Sequence, residues 1–148
     1  MAEHAAARAA IIFRVAAVNL ALPATAVESI IDYETPRPLP LAPEHVPGVI
    51  SQGEHLLPIL DVARFLALVT RDEVRRRILV VNASGMRVGI GCERVLALRE
   101  LPLPAGRTAR VLQGEQLQRF LEHELDTKEG LVGVLDLAAL LEAARVKA

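Results

Sequence analysis

VPGVISQGEHLLPILDVARFLAL, residues 46–68, decides how the rest of the chain is read. Two apolar runs flank a polar tip, Ser51, Gln52, Gly53, Glu54 and His55, and the second run passes through Pro58 and Asp61 into a short apolar segment. The pattern predicts a strand, a tight turn, and a strand that leads into a short helix. Gly48 and Gly53 mark places where the backbone bends or is closely approached. Asp61 stands at an N-cap position, where its carboxylate can accept from the free amides of Ala63 and Arg64.

Outward from this stretch the chain repeats itself. LPILDVARFLAL (57–68) resembles VGVLDLAALLEA (132–143): strand, aspartate, short amphipathic helix, with Asp136 as the second cap. Ile11 to Ile31 likewise resembles Ile78 to Leu98, as strand, turn, strand, helical turn and strand. Two β-rich halves follow, about 11–70 and 76–148, each too small to bury its aliphatic face alone. Closing each half into a small barrel also removes free sheet edges. Residues 1–10 read as a flexible arm.

Between these landmarks, Ile11 to Leu22 predicts a hairpin turning near Ala17 to Asn19, and Ala26 to Ile31 a strand. Five prolines between Tyr33 and Pro47 forbid a helix there. Leu39, Leu41 and Val46 give that segment something to bury, which favours an ordered crossover. Ile78 to Val81 and Met86 to Cys92 pair across the turn cluster Asn82 to Gly85. The ambiguous part is 113–126, read as a helix from about Glu115 to Phe120 and a strand into Leu125.

Composition limits the function. The 148 residues carry a formal charge of −1 and only one basic run, Arg75 to Arg77, which argues against nucleic acid. The single cysteine, Cys92, lies in an apolar run and fits a reducing compartment. No run approaches the ~18 apolar residues of a membrane span, and the N-terminus lacks a signal-peptide core. A cytoplasmic protein is expected. His4, His45, His55 and His123 are scattered without metal-ligand spacing. Gly89 to Gly91 is a fragment of a dinucleotide fingerprint with no third glycine opening a helix. Asp61 and Asp136 read as caps and not as an acid–base pair. No catalytic residue, metal site or cofactor is expected, and the sequence reads as a binding module.

The same residues carry a family resemblance. GVI…LLPILDV…FLAL resembles the signature of CheW-like coupling domains, the adaptors of bacterial chemotaxis, which reads roughly G-V-x-N-L-R-G-x-x-x-P-x-x-D-L. Gly48, Val49, Pro58 and Asp61 fall in register, as do Val27 and Ile30 of a V-x-E-I element. The resemblance implies a mainly β fold: two small five-stranded SH3-like barrels packed together, with short helices. It also implies an adaptor that joins the chemoreceptor cytoplasmic tip, bound in a groove between barrels, to the regulatory domain of a CheA-type histidine kinase. Two positions tied to such contacts are changed. Gly53 stands where the family has arginine and Ser29 where it has glutamate, while Glu28 comes one residue early. Ser29, Ser51, Gln52, Gly53, Glu54 and His55 are therefore the candidate partner-binding residues. The readings are a divergent adaptor with weakened kinase binding, an ordinary coupling protein with co-adapted surfaces, and a β-barrel small-molecule binder unrelated to chemotaxis.

Overall fold

The computed structural model describes residues 7–68, 74–106 and 108–145. Ten strands alternate with three short α-helices. They are β1 (Ala7–Val15), β2 (Val18–Pro23), β3 (Val27–Asp32), β4 (Gly48–Gln52), β5 (His55–Leu60), α1 (Val62–Phe65), β6 (Arg77–Ala83), β7 (Met86–Cys92), β8 (Arg94–Pro102), α2 (Glu115–Arg119), β9 (Leu121–Thr127), β10 (Gly130–Leu135) and α3 (Leu137–Ala144). A 3-10 turn, Ala24–Ala26, joins β2 to β3. The ambiguous stretch is α2 followed by β9. The expected arm is shorter than residues 1–10, because Ala7 to Ala10 already pair with Arg99 to Pro102; residues 1–6 lie outside the described residues.

The strands form two five-stranded sheets, β8-β1-β2-β10-β9 and β3-β6-β7-β5-β4, here called the first and second barrel. This is not the division at residues 70 and 76 that the repeat suggested. The repeat is present in chain order, but the two halves exchange their first hairpins. The β1–β2 hairpin pairs with β8 and β10, while β6–β7 pairs with β3 and β5. The two barrels then match strand for strand. One irregularity also coincides: Glu28 is an extra residue between the pairs Val27–Val81 and Ser29–Val80, as Leu96 is between Val95–Phe13 and Ala97–Ile12.

Burial explains the exchange. Each barrel interior is small, with Ala10, Ile12, Ala21, Val132 and Val134 in the first and Ile50, Leu57, Ile59, Ile78 and Val80 in the second. A larger core lies between the barrels and is sealed by the helices. Phe13, Leu20 and Leu22 of the first hairpin and Leu79, Val81, Val88 and Ile90 of the second point into it. The exchanged hairpins therefore bury both faces, and their sequences lack polar alternation for that reason. Cys92 is buried in the same core. Along the repeated apolar runs, Val49, Ile50, Leu57, Ile59, Leu79, Val81, Leu135 and Leu140 are buried, and Val95 is partly buried against the shared core.

Small residues let the hairpins fit. A Cβ on Gly89 would stand 2.6 Å from Ile59 Cδ1. The β1–β2 turn is one or two residues earlier than expected. Val15 pairs with Val18, so Ala16 (φ 50°) and Ala17 (φ 65°) form a two-residue turn with both central residues left-handed. Asn19, the turn-type residue that misplaces it in the sequence, lies in β2 and donates to the Glu129 carbonyl at 2.9 Å.

The proline-rich segment is an ordered crossover. Arg37, between Pro36 and Pro38, exchanges backbone hydrogen bonds with Val49 at 2.8 and 2.9 Å and extends the second sheet past β4. Val46 is buried, but Leu41 is fully solvent-exposed, contrary to expectation, in a turn at φ 61°. The remainder of the loop is held by the Asp61 amide on the His45 carbonyl (2.8 Å) and by His45 Nε2 on the Ala144 carbonyl (2.7 Å).

Candidate functional site

The tip is a two-residue hairpin turn, with Gln52 paired to His55. Gly53 has φ 60°, and Glu54 is not left-handed, which is the pattern of a type II′ turn. Gly53 meets nothing that a Cβ would touch. Ser51, Gly53, Glu54 and His55 are exposed and Gln52 is half-buried. His45 and His55 do not meet: His45 packs edge-on against Phe65 with ring centroids 4.8 Å apart.

Sequence reasoning missed what Gln52 touches. Arg87 on β7 donates through Nη2 to Gln52 Oε1 and through Nε to Glu28 Oε2, the latter at 2.8 Å. Glu28 Oε1 accepts from Asn82 Nδ2 at 3.2 Å. Alternation along β3 would turn Glu28 away from the Ser29 face, but the bulge re-aims it toward β6 and β7. Arg87 holds the Glu28 carboxyl below its ordinary pKa, with Asn82 adding to the effect. Ser29 lies beside this group on β3 but enters none of these bonds. Two apolar side chains of the same barrel are also exposed, Ile30 on β3 and Leu56 on β5. Arg87 is half-buried on a strand otherwise full of apolar residues and glycine, and that isolation was the one signal for it in the sequence.

A groove of about 360 Å³ runs between the barrels. Pro23, Thr25 and Ala26 form part of its wall from the β2–β3 connection, Ala83 and Asn82 come from β6, and the start of α3 closes one end. Arg8 and Glu122 also line it and lie 3.6 Å apart. Asn82 thus belongs both to the groove and to the polar group at the tip.

The two aspartates occupy N-caps. Asp61 Oδ1 accepts from the Arg64 amide and Asp136 Oδ1 from the Ala139 amide, each at 3.1 Å. The Ala63 amide, the other acceptor contact expected of Asp61, is not engaged by the carboxylate; Asp61 instead pairs with Arg75 at 2.8 Å. Arg77 likewise lies 3.2 Å from Asp32, so the basic run is partly neutralised.

Near Glu124 there is a smaller concavity of about 260 Å³, lined by Thr108, Arg110, Gln118 and His123 among others. Glu124 is the one buried charged side chain among the described residues. Its carboxylate accepts from the Val111 and Leu112 amides (2.9 and 2.6 Å) and from Gln118 (2.9 Å), so its lone pairs are committed to structure. Among the described residues no three His, Cys, Asp or Glu side chains are grouped to hold a metal ion, and no helix is long and apolar enough to cross a membrane.

Two interlocked barrels, a groove between them and an exposed polar tip define a scaffold-type β protein. Its sequence matches the family model for the CheW-like domain over residues 9–145, and the chain belongs to that family. Protein FrzA of Myxococcus xanthus is 30% identical over 142 residues, covering 92% of this chain and 86% of that one. The crystal structure of the scaffolding protein TtCheW from Thermoanaerobacter tengcongensis superposes with a TM-score of 0.76 over 93% of this chain and 94% of that one, at 18% identity. That likeness places the paired barrels in the CheW fold.

Proposed function

We propose that the protein is a non-catalytic adaptor of a bacterial chemosensory array, working in the cytoplasm, that binds chemoreceptor tips in the inter-barrel groove and engages a CheA-type histidine kinase weakly through the second barrel. The observation that carries this reading is the hydrogen-bonded group Glu28–Arg87–Gln52, on the same barrel that leaves Ile30 and Leu56 exposed. It has the apolar anchors and fixed charges of a docking surface. Kinase binding is weakened because the Arg87 guanidinium at the tip is already held by two internal acceptors, whereas Gly53 contributes no donor fork. Catalysis has no part in this reading, since among the described residues no convergent nucleophile, acid–base pair or metal set supports it.

Titration calorimetry against a chemoreceptor hairpin-tip fragment and against a kinase regulatory domain tests the proposal. The receptor fragment binds well and the kinase domain weakly. Glu54→Arg supplies a fork without moving the left-handed φ off Gly53, and is expected to tighten kinase binding about tenfold, ~1–2 kcal/mol. Tight kinase binding by the unaltered protein favours an ordinary coupling protein. Failure to bind either partner ends the adaptor reading.

A further inference from the structure

Asn82 serves two surfaces at once. It lines the groove between the barrels, and its Nδ2 donates to Glu28. Glu28 accepts from Arg87, and Arg87 donates to Gln52 at the tip. Four side chains on β6, β3, β7 and β4 therefore join the groove to the tip end to end. The Arg87 guanidinium holds the Glu28 carboxyl below its ordinary pKa.

Two arrangements are open to this chain of bonds. Nε and the neighbouring terminal nitrogen of a guanidinium form a fork that fits one whole carboxylate. Arg87 divides this fork between two acceptors, Glu28 and Gln52, while Glu28 divides its oxygens between Arg87 and Asn82. The undivided form exists elsewhere in the molecule: Arg99 places the same two nitrogens on both oxygens of Glu129, with Nη2 to Oε2 at 2.6 Å. At Glu28, by contrast, Oε1 is engaged by Asn82 and Oε2 by Arg87 Nε.

We propose that a groove ligand bearing a hydrogen-bond acceptor draws Asn82 away from Glu28, that Glu28 then closes on Arg87 as Glu129 does on Arg99, and that Gln52 and the tip are released. Glu28 and Arg87 are positioning residues in this scheme, and filling the groove loosens the tip and so weakens its hold on a second partner. The inference rests on reading groove and tip as two partner surfaces. A ligand that left Asn82 in place would shift nothing, since only differential contact moves an equilibrium.

The full-length protein with Asn82→Ala imitates the withdrawal without any ligand. By NMR, the Arg87 Nε–H signal stays protected and shifts, the Gln52 side-chain amide moves toward its free position, and hydrogen exchange at residues 51–56 speeds up about fivefold, the low end of ordinary coupling. In a Glu28→Gln background no carboxylate is present to close, and Asn82→Ala then leaves the tip unchanged. An unaltered tip in Asn82→Ala overturns the proposal, as does an equal effect in both backgrounds. In calorimetry, a saturating receptor-tip fragment weakens kinase-domain binding about fivefold in the unaltered protein and has no such effect in Asn82→Ala. If neither fragment binds the unaltered protein, the adaptor reading falls, while the NMR comparison still decides the relay.

Discussion

At matched places the two barrels hold their last strand by different means. Val49 on β4 and Glu124 on β9 correspond, opposite Pro58 and Gly133. In the second barrel the crossover reaches Val49 with its own backbone, through Arg37. Gly48 makes this approach possible: a Cβ there would stand 1.9 Å from the Arg37 carbonyl oxygen, and its φ is 155°. In the first barrel the residue matching Gly48 is His123, and the connecting loop is not in strand register. There a side chain does the work: Glu124 accepts from the Val111 and Leu112 amides, while its own amide donates to Thr108 Oγ1 at 2.8 Å. One fold therefore satisfies the same edge either with a glycine and close backbone approach or with a buried carboxylate. Which device is present depends on the loop that arrives, because buried amides must find acceptors in either case.

Five measurements break or sharpen this comparison, the first of which concerns what the barrels share. Because each barrel takes its first hairpin from the other half of the chain, residues 1–68 alone lack the partners of β1–β2 and do not fold. Circular dichroism of the isolated fragments is expected to show little sheet, and mixing 1–68 with 74–148 to restore it. A well-folded isolated fragment contradicts the exchange.

Gly48→Ala is expected to cost ~3 kcal/mol or more, since a methyl group meets a backbone carbonyl at a φ reserved for glycine. His123→Ala, at the matching position, should cost ~1 kcal/mol or less, as His123 Nδ1 is buried without a partner and its loss strands nothing. Equal denaturant midpoints for the two variants refute the asymmetry.

Glu124→Ala removes the acceptor for two backbone amides and Gln118, and is expected to lower stability by ~3 kcal/mol. Glu124→Gln keeps one oxygen for the amides and should lose about half as much. Chemical denaturation of the two variants side by side checks the order.

The caps carry a smaller difference. Asp136→Ala loses a cap alone, ~1 kcal/mol, whereas Asp61→Ala also loses the half-buried pair with Arg75 and should cost roughly twice that. Binding of either partner, measured well below the melting temperature, should not change. A variant that melts like the parent protein but fails to bind places that aspartate in a docking surface.

The smallest effect is electrostatic. Arg87 lowers the Glu28 carboxyl and Arg99 lowers that of Glu129, so each pair stabilises the fold above the ordinary carboxylate pKa. That contribution fades as pH falls through the depressed folded-state value. Both Glu28→Gln and Glu129→Gln should flatten the acid limb of the stability–pH curve. The flattening is expected to be greater for Glu129, which is less exposed than Glu28 and takes both nitrogens of its arginine. Identical limbs in all three proteins would mean that solvent screens both pairs completely.

Much of the fold was legible because its signals are local. The runs of β4 and β5, the caps Asp61 and Asp136, and the repeat of strand, aspartate and helix follow from period, turn chemistry and capping within a dozen residues. The hairpin turn at the tip was legible in the same way. The sequence could not tell which half each hairpin would join, since Ile12 and Val80 fit either barrel equally by pattern. That choice is made by the shared core, where Phe13 and Leu22 meet Leu79 and Ile90 from the other half. Nor could alternation place Glu28: a one-residue bulge, set by pairing with β6, moved it to Arg87 and joined the tip to the groove. Local interactions are written in neighbouring residues, whereas register and pairing between distant strands exist only once the cores have formed.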